Sequence, residues 1–386
     1  MALGLNHLLC TDCALWSVAT DSFPELTVCV FCTNFAGQNS NPEKIMDKKR
    51  IVFIVNPISG TGSKTSVVNS IEENIDKNKF DYEISTTEYA GHATILASRA
   101  AGENVHAVVA VGGDGTVNEV ARSVVHTQTA LGIVPCGSGN GLARHLQIPM
   151  IPEKAIRIIN EDTIHCLDHG VINGHPFFCT CGVGFDAFIS QKFAESGKRG
   201  LKTYVENTLR EGLIYKPDTY TIEDEKGTFK DKAFLIACAN ASQYGNNAFI
   251  APYASMKDGL MDVIVMEPFN PLEAPQIVLQ LFNKTLPQNS HVKTFRSQKI
   301  KIHRNGTGAV HCDGDPFVTG EDINIEIIKQ SFNVMVNPAA HSEPKNPLQI
   351  LSGYFNEWTS LPYVIKKRGE SLIKMNRAMI ERMRKL

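Results

Sequence analysis

The chain has 386 residues, of which 43% are hydrophobic and 20% are charged, and its formal net charge is −2. This length suits two compact domains, and the composition excludes a chain that is disordered throughout. The small net charge argues against a nucleic-acid partner. No run of about 18 to 20 apolar residues is present, so a membrane-spanning helix is not expected. The first basic residue is Lys44, so a signal peptide would lack its charged region, and we expect a cytoplasmic protein.

Ten cysteines occur, and four of them cluster near the start. These four form two CxxC pairs at a spacing that a zinc ribbon can use: Cys10, Cys13, Cys29 and Cys32. Zinc knuckles usually carry basic residues in their turns, and none precedes Lys44. Since Met46 directly precedes the first predicted strand, the alternative is that residues 1–45 are an upstream extension that is not part of the native protein. The other six are predicted to be reduced packing residues: Cys136, Cys166, Cys179, Cys181, Cys238 and Cys312.

The first half alternates strand and helix patterns. Residues 51–55 (IVFIV) form a β-branched, apolar run that is typical of a strand buried on both faces. A loop rich in glycine, serine and threonine follows, and apolar residues then recur at helical spacing from Val67 to Ile75. The order of strand, glycine-rich loop and helix repeats after 106–111 and after 131–134. This alternation predicts a parallel sheet with the glycine-rich loops at the carboxyl ends of its strands.

The second half predicts an antiparallel β domain. Its short β-rich segments are separated by turn signals: residues 219–223, 232–239, 260–266, 299–303 and 323–328. Helical patterns beginning at Gly200 and Pro271 interrupt them. We therefore predict four segments: the extension 1–45, an α/β domain 46–163, an antiparallel β domain 164–337, and a linker with a final helix 338–386.

Three glycine-rich loops at one edge of a parallel sheet favour phosphate binding, because backbone N–H groups and helix N-termini attract anionic oxygens. The first loop lacks the Gly-Lys-Ser/Thr ending of a Walker loop, and no GxGxxG follows the first strand. A P-loop and a dinucleotide-binding fingerprint are therefore both disfavoured.

The order of the motifs resembles the diacylglycerol kinase catalytic domain, which bacterial lipid kinases, diacylglycerol kinases and sphingosine kinases share. The motifs are NPxSG at 56–60, Thr87 before GHA at 91–93, GGDGTxNE at 112–119 and GSGN at 137–140. The resemblance continues through GVGFDA at 182–187, DGLMD at 258–262 and DGD at 313–315, and it covers roughly residues 47–337.

This resemblance implies a two-domain kinase, in which an α/β domain like that of NAD kinases and phosphofructokinases lies beside a β-sandwich, with ATP between them. Residues 46–163 would then be the nucleotide-binding catalytic domain, and residues 164–337 would be the lipid-binding β-sandwich. Asp114 would lie beside the phosphates and Mg²⁺, and Asp315 would act as the base. Phosphoryl transfer independently requires a metal and a carboxylate that orients or deprotonates the acceptor hydroxyl. The residues implied to bind nucleotide are Asn56, Pro57, Ser59, Gly60, Thr87, Gly112, Gly113, Asp114, Gly115, Thr116, Asn118, Gly137, Ser138, Gly139 and Asn140.

Three further positions carry alternatives. The family usually has Glu where this chain has Asp315, and DGD can also be a plain surface turn. Asp186 resembles the position that faces the lipid headgroup, or else it caps a helix. Asp258 and the carbonyl of Leu260 resemble part of a structural Mg²⁺ site, but Ser255 stands where a second carboxylate belongs, so a plain turn is the alternative.

The function expected from these residues is transfer of the γ-phosphate of ATP to the hydroxyl of a membrane lipid, diacylglycerol or a sphingoid base. One alternative is an NAD kinase, although GSGN and the later motifs follow the lipid-kinase order. Another is a non-catalytic nucleotide-binding scaffold, although Asp114 and Asp315 are both present.

The C-terminal tail suggests a contact with anionic membrane. Residues 366–386 carry eight Lys or Arg against two Glu, with apolar residues at mostly helical spacing. An interfacial helix would place the protein peripherally on the inner face of the membrane. The alternative is a helix that docks on the protein's own surface. The sequence leaves a homodimer open.

Overall fold

The computed structural model describes residues 48–59, 64–196, 212 and 215–340. Four features of the sequence lie outside the described residues. These are the cysteine pairs at 10–32, Gly60, nearly all of the helical pattern that begins at Gly200, and the tail after residue 340.

The first part alternates strands and helices, as the sequence predicts. Its strands are β1 (Lys49–Val55), β2 (Phe80–Thr86), β3 (Ala107–Gly112) and β4 (Ala130–Pro135). Its helices are α1 (Lys64–Asn74), α2 (His92–Gly102), α3 (Asp114–Val124), α4 (Gly141–His145) and α5 (Pro152–Glu161). The four strands pair in parallel in the order β2-β1-β3-β4. Every residue of β3 and β4 is buried, which explains their unbroken apolar runs.

The second part is mostly β-structure. Its strands are β5 (Ile164–Ile172), β6 (His175–Phe177), β7 (Thr180–Gly184), β8 (Asp218–Asp224), β9 (Gly227–Ala233), β10 (Leu235–Ala239), β11 (Met261–Met266), β12 (Val292–Ser297), β13 (Lys299–His303), β14 (Gly308–Cys312), β15 (Asp315–Thr319) and β16 (Asp322–Met335). Its described helices are α6 (Phe185–Ser196) and α7 (Ala274–Asn283). The latter confirms the helical pattern predicted from Pro271.

The strands of the second part form a sandwich. One antiparallel sheet has the order β12-β11-β10-β7-β14-β15. Facing it are antiparallel strands that continue the first sheet beyond β4, in the order β16-β13-β8-β9. Strand β5 also pairs with β16, and β6 pairs with β5. Their inward side chains share one core that includes Val183, Ile236, Ile302 and Ile325. The predicted combination of a parallel α/β part and an antiparallel β-sandwich is confirmed.

Strand β16 joins the two parts. Its first residues pair antiparallel with β13, and Val334 near its end pairs in parallel with Leu131 of β4. The register against β5 shifts between Ile328 and Phe332, and a bulge of this kind bends a strand. One strand therefore serves both the sandwich and the parallel sheet.

The cysteines of the described residues are all free thiols. Cys179, Cys181, Cys238 and Cys312 are buried, as predicted for packing residues, and Cys136 is half-buried. Cys166 is exposed, so the packing interpretation does not apply to it. No helix within the described ranges is long and apolar enough to cross a membrane.

Candidate active site

Asn56 ties the first glycine-rich loop to the second. It directly follows β1, and its backbone N–H donates to the carbonyl of Val111 at the end of β3 (2.9 Å). Its side-chain Nδ2 donates to Thr116 Oγ1 (3.0 Å), and its Oδ1 accepts the N–H of Ile58 (3.0 Å). The backbone of Asn56 therefore joins the carboxyl ends of β1 and β3, and its side chain joins the end of β1 to the first turn of α3.

Close backbone contact explains why glycine is needed in the next two loops. A Cβ on Gly137 would lie 2.6 Å from the Cα of Gly113, and a Cβ on Gly112 would lie 2.5 Å from Thr116 Oγ1. Real Cβ atoms do not approach so closely, so a side chain at Gly137 would push the two loops apart, and one at Gly112 would collide with Thr116 in the first turn of α3. The loops after β3 and β4 thus contact each other through their backbones.

Asp114 holds the loop after β4 in place. It is the first residue of α3, and its carboxylate accepts the backbone N–H groups of Asn140 (2.7 Å) and Gly141 (2.6 Å). Asn140 has φ 51°, and its side chain accepts from the N–H of Gly137 (3.1 Å) and donates to the carbonyl of the same residue (2.8 Å). The acidic residue of GGDGT therefore shapes the GSGN loop.

Glu119 holds the loop of the GHA motif in place by accepting backbone N–H groups, as Asp114 does for the loop after β4. Its two carboxylate oxygens accept the N–H groups of Gly91 and Ala93, each at 3.1 Å, where α2 begins. Thr87 is buried beside this turn, and its N–H donates to the carbonyl of Val55 (2.9 Å). Helix α3 thus organises both neighbouring loops through two carboxylates.

The DGD sequence is a tight hairpin turn between β14 and β15. Asp313 (φ 52°) and Gly314 (φ 88°) both have positive φ, which a type I′ turn requires. The Asp313 carboxylate accepts three backbone N–H groups, from Phe178 (2.8 Å), Cys179 (2.7 Å) and Thr180 (3.0 Å). Asp313 therefore anchors the turn, and Asp315, whose side chain is 64% exposed, is the carboxylate that a substrate can reach.

Arg122 contacts Asp315 from the last turn of α3. Its Nη2 lies 3.4 Å from Asp315 Oδ2. Partial desolvation by the surrounding protein raises the pKa of Asp315, and the positive charge of Arg122 opposes that rise. No motif pointed to Arg122, because 193 positions separate it from its partner.

Asp186 lies in a buried polar cluster. At the start of α6 it accepts the N–H of Ala187 (2.8 Å) through Oδ1, while its Oδ2 lies 3.0 Å from His311 Nε2 and 3.4 Å from the hydroxyl of Tyr244. The N–H of Gly314 points at His311 Nδ1 (3.4 Å), so the cluster reaches the DGD turn. The bond to the next N–H is not an N-cap bond, which reaches two or three residues further along, so both alternatives for Asp186 stay predictions.

A loop of the second part packs against the GSGN loop. The N–H of Asn246 donates to the carbonyl of Gly139 (3.0 Å), and the N–H of Ser242 donates to His145 Nδ1 (3.1 Å) in α4. Burial lowers the pKa of His145 to about 4, so its ring is neutral and can accept this bond. No sequence pattern predicted this contact, because loops that meet across two parts of a chain share no spacing.

Cys179 is a buried thiol that is influenced by the charges of both sets of loops. Burial raises the pKa of its thiol well above the ordinary value, and the nearby charges of Asp313 and Asp114 raise it further. Its backbone carbonyl accepts the N–H groups of Asn240 and Ala241. The DGD turn and the GGDGT loop are therefore both within electrostatic range of one buried residue.

The family comparisons agree with this arrangement. A model of the diacylglycerol kinase catalytic domain matches residues 50–172, and a model of the YegS C-terminal NAD kinase beta sandwich-like domain matches residues 179–336. Residues 50–172 are a diacylglycerol kinase catalytic domain. The predicted resemblance is confirmed for both matched domains, and it is a resemblance to lipid kinases.

Individual relatives are similar to most of this chain. A Chromohalobacter salexigens protein named "Probable lipid kinase YegS-like" is 29% identical over 241 residues, which are 60% of this chain and 77% of the relative. A Bacillus subtilis protein named "Diacylglycerol kinase" is 24% identical over 285 residues, which are 72% of this chain and 94% of the relative. A crystal structure described as a diacylglycerol kinase from Bacillus anthracis has the same fold, with a TM-score of 0.60 at 21% identity. The match covers 77% of this chain and 100% of the crystallised one.

Asp114 suits a magnesium ion of the kind that would arrive with a nucleotide. Each oxygen of Asp114 accepts one N–H and keeps a further lone pair. Mg²⁺ at kinase sites takes one or two carboxylates and otherwise phosphate and water oxygens. Among the described residues, no group of three or more His, Cys, Asp or Glu could hold a metal by itself.

The weaker magnesium candidate has a different environment. The Asp258 carboxylate is paired with the guanidinium of Arg296 and accepts the N–H of Leu260 (3.1 Å). Arg296 also lies 3.7 Å from Asp262. An arginine thus already supplies the positive charge at this turn, and a structural ion there stays a prediction.

Proposed function

We propose that this kinase transfers the γ-phosphoryl group of ATP to the hydroxyl of a lipid, either diacylglycerol or a sphingoid base. The observation that carries the proposal is the double hydrogen bond from Asn140 and Gly141 to Asp114, which fixes two glycine-rich loops as one unit. The charges of Asp114 in this unit and of Asp313 in the DGD turn both raise the pKa of Cys179, and Asp313 also accepts the backbone N–H of Cys179. A nucleotide site and an acidic residue on the second part would thus be neighbours.

The nucleotide phosphates are proposed to lie against the loops after β1, β3 and β4. A Cβ at Gly115 would meet nothing within 4 Å, so its backbone borders open space. The N-terminus of α3 begins beside it, and a helix N-terminus favours anionic oxygens. Asn56, Thr116 and Asn140 shape this surface through the bonds described above.

Magnesium would be held by Asp114 together with the phosphates. When bound, it would neutralise phosphate charge and stabilise the leaving oxygens. Asp114 would then have two duties, because it also holds the GSGN loop.

Asp315 is proposed as the base. As the acceptor hydroxyl oxygen forms its bond to the γ-phosphorus, the bond from that phosphorus to the bridging oxygen breaks, ADP leaves, and the hydroxyl proton passes to the Asp315 carboxylate. The exposure of Asp315 allows this contact. Asp313 is a weaker candidate, because three N–H groups already occupy its oxygens.

The acceptor is proposed from the relatives. The Bacillus subtilis relative is named for diacylglycerol, whereas GSGNGLARHL resembles the sphingosine-kinase form of its loop. A substrate of either kind resides in a membrane, so we propose that the enzyme works at a membrane surface.

A substrate panel tests the proposal. Purified full-length protein would be incubated with labelled Mg-ATP and, separately, diacylglycerol, sphinganine, ceramide and NAD, with Asp315→Asn as a matched control. A labelled phospholipid that depends on Asp315 is the expected product. Label in NAD would instead favour an NAD kinase. Nucleotide binding without any labelled product would favour a scaffold.

A further inference from the structure

We propose that Arg122 is a positioning residue for the base, which fixes Asp315 beside helix α3 and supplies the cation that faces its carboxylate. This inference rests on the proposed function, in which Asp315 takes the acceptor's proton. It assigns a role in the reaction to a residue outside every motif of the sequence.

The geometry connects the two parts of the chain at one side chain. Arg122 Nη2 lies 3.4 Å from Asp315 Oδ2 and 3.9 Å from Cys312 Sγ. Cys312 and Asp315 are the paired residues on either side of the hairpin turn. The guanidinium therefore contacts both ends of the turn that carries the base.

Packing alone does not account for an arginine here. Its Nε is buried and has no hydrogen-bond partner among the described residues. A buried donor without a partner is unfavourable, and an apolar side chain would avoid that loss. The contact with Asp315 is what an apolar replacement could not reproduce.

The position of Arg122 is fixed by its helix. Val117, Val120 and Val124 of α3 are buried in the core, and Asp114 begins the same helix. Side chains on a helix lean toward its N-terminus, so Arg122 leans toward the end that carries Asp114. Movement of the base relative to the GGDGT loop is thereby restricted.

The charges around Asp315 determine what removing Arg122 does. Arg122 and His311 lower the pKa of Asp315, whereas Glu119 of α3 raises it. Without Arg122, desolvation and Glu119 would raise the pKa of Asp315 further. Since a base acts in its deprotonated form, the resulting loss of activity must grow as the pH falls.

The first experiment compares Arg122→Gln with Arg122→Lys in the full-length enzyme, with kcat and KM measured across the pH range in which circular dichroism shows native protein. Arg122→Gln should shift the acidic limb of kcat upward by about 0.5 to 1 pH unit, with an unchanged KM for Mg-ATP. Arg122→Lys keeps the positive charge, so the acidic limb of kcat should lie at the same pH as in the wild-type enzyme. Arg99→Gln is the matched control, because Arg99 also lies in the last turn of a helix and is 79% exposed.

The second experiment is a double-mutant cycle with Asp315→Asn. If Arg122 acts through Asp315, adding Arg122→Gln to Asp315→Asn should produce no further loss of kcat. Additive losses of kcat in the double mutant or an unchanged acidic limb of kcat in Arg122→Gln would overturn the inference. So would an effect of Arg122→Gln that is confined to KM for Mg-ATP, which would mean that Arg122 contacts the phosphates. A wild-type enzyme that labels no lipid would refute the proposed function itself, which is a separate outcome.

Discussion

Asp114 and Gly141 are joined by a hydrogen bond of 2.6 Å, in which the backbone N–H of Gly141 donates to Oδ1 of Asp114. The neighbouring N–H of Asn140 donates to Oδ2 at 2.7 Å. A carboxylate suits this position because both of its oxygens are acceptors. The residue expected to face magnesium is therefore also a structural link between two loops.

Asp114→Asn should consequently impair both activity and stability. An amide offers one oxygen, and its NH₂ group would face a backbone N–H. We expect a loss of roughly 1–3 kcal/mol in the free energy of unfolding and weaker Mg-ATP binding. Urea titration and calorimetric nucleotide binding measure the two effects. Asp81→Asn, at an exposed position of β2, is the control and should change neither; a stable Asp114→Asn variant would contradict the structural role.

Gly115→Ala tests whether phosphate lies at the start of α3. A Cβ there meets nothing within 4 Å, and alanine favours a helix over glycine, so stability should rise by about 0.5–1 kcal/mol. If nucleotide phosphates approach this backbone, KM for ATP should nevertheless rise. Gly102→Ala is the matched control, since it lies in α2 with equal space around its Cβ. Equal KM values in the two variants would place the phosphates elsewhere.

The sequence predicted the buried strands well and their partners poorly. Residues 51–55 and 131–134 were recognisable because a strand covered on both faces carries only apolar side chains. The segment 323–328 was also recognisable, but the full β16 continues to Met335, past a register shift, and reaches β4. Periodicity describes one strand at a time, so it could not show that β16 belongs to both parts.

Acid should destabilise the fold through buried histidines. Burial lowers the pKa of His145 and of His169 to about 4, whereas an unfolded histidine titrates near 6.5. Between these values the unfolded chain binds more protons, so stability is complete above about pH 6.5 and falls as the pH drops toward 4, by up to roughly 3 kcal/mol for each group. His145→Gln should flatten this dependence in urea titrations from pH 4.5 to 7.5. His175→Gln, at an exposed position, should not.

Removing metal ions by chelation should not change the stability of the nucleotide-free protein if Arg296, rather than a metal ion, neutralises Asp258. We expect equal melting temperatures with and without EDTA. Arg296→Met leaves Asp258 and the half-buried Asp262 without their cation and should cost about 1 kcal/mol, since the pair is partly exposed. Lys299→Met is a control at an exposed ion pair. A lower melting temperature in EDTA for the wild type would support a structural ion after all.

The candidate site was predictable only where residues are adjacent in the chain. GGDGT and GSGN were visible as motifs, because glycine is required where the backbones of Gly113 and Gly137 meet. Arg122 and His311 were not, because each acquires its meaning from a partner more than a hundred positions away. His311 in particular carried no metal-ligand spacing, yet it is buried against Asp186 and the DGD turn.

Asp315 offers the sharpest test of the mechanism. Asn is nearly isosteric with Asp and cannot accept a proton at neutral pH, so Asp315→Asn should lower kcat by something on the order of 10²-fold or more while nucleotide binding is largely retained. Asp315→Glu keeps the carboxylate, restores the residue usual in the family and should preserve activity. Asp313→Asn is the comparison, because Asp313 is bonded to three N–H groups and its loss should act through stability. Near-normal turnover in Asp315→Asn, measured with labelled ATP and the accepted lipid, would show that the proton goes to Asp313, Asp114 or water.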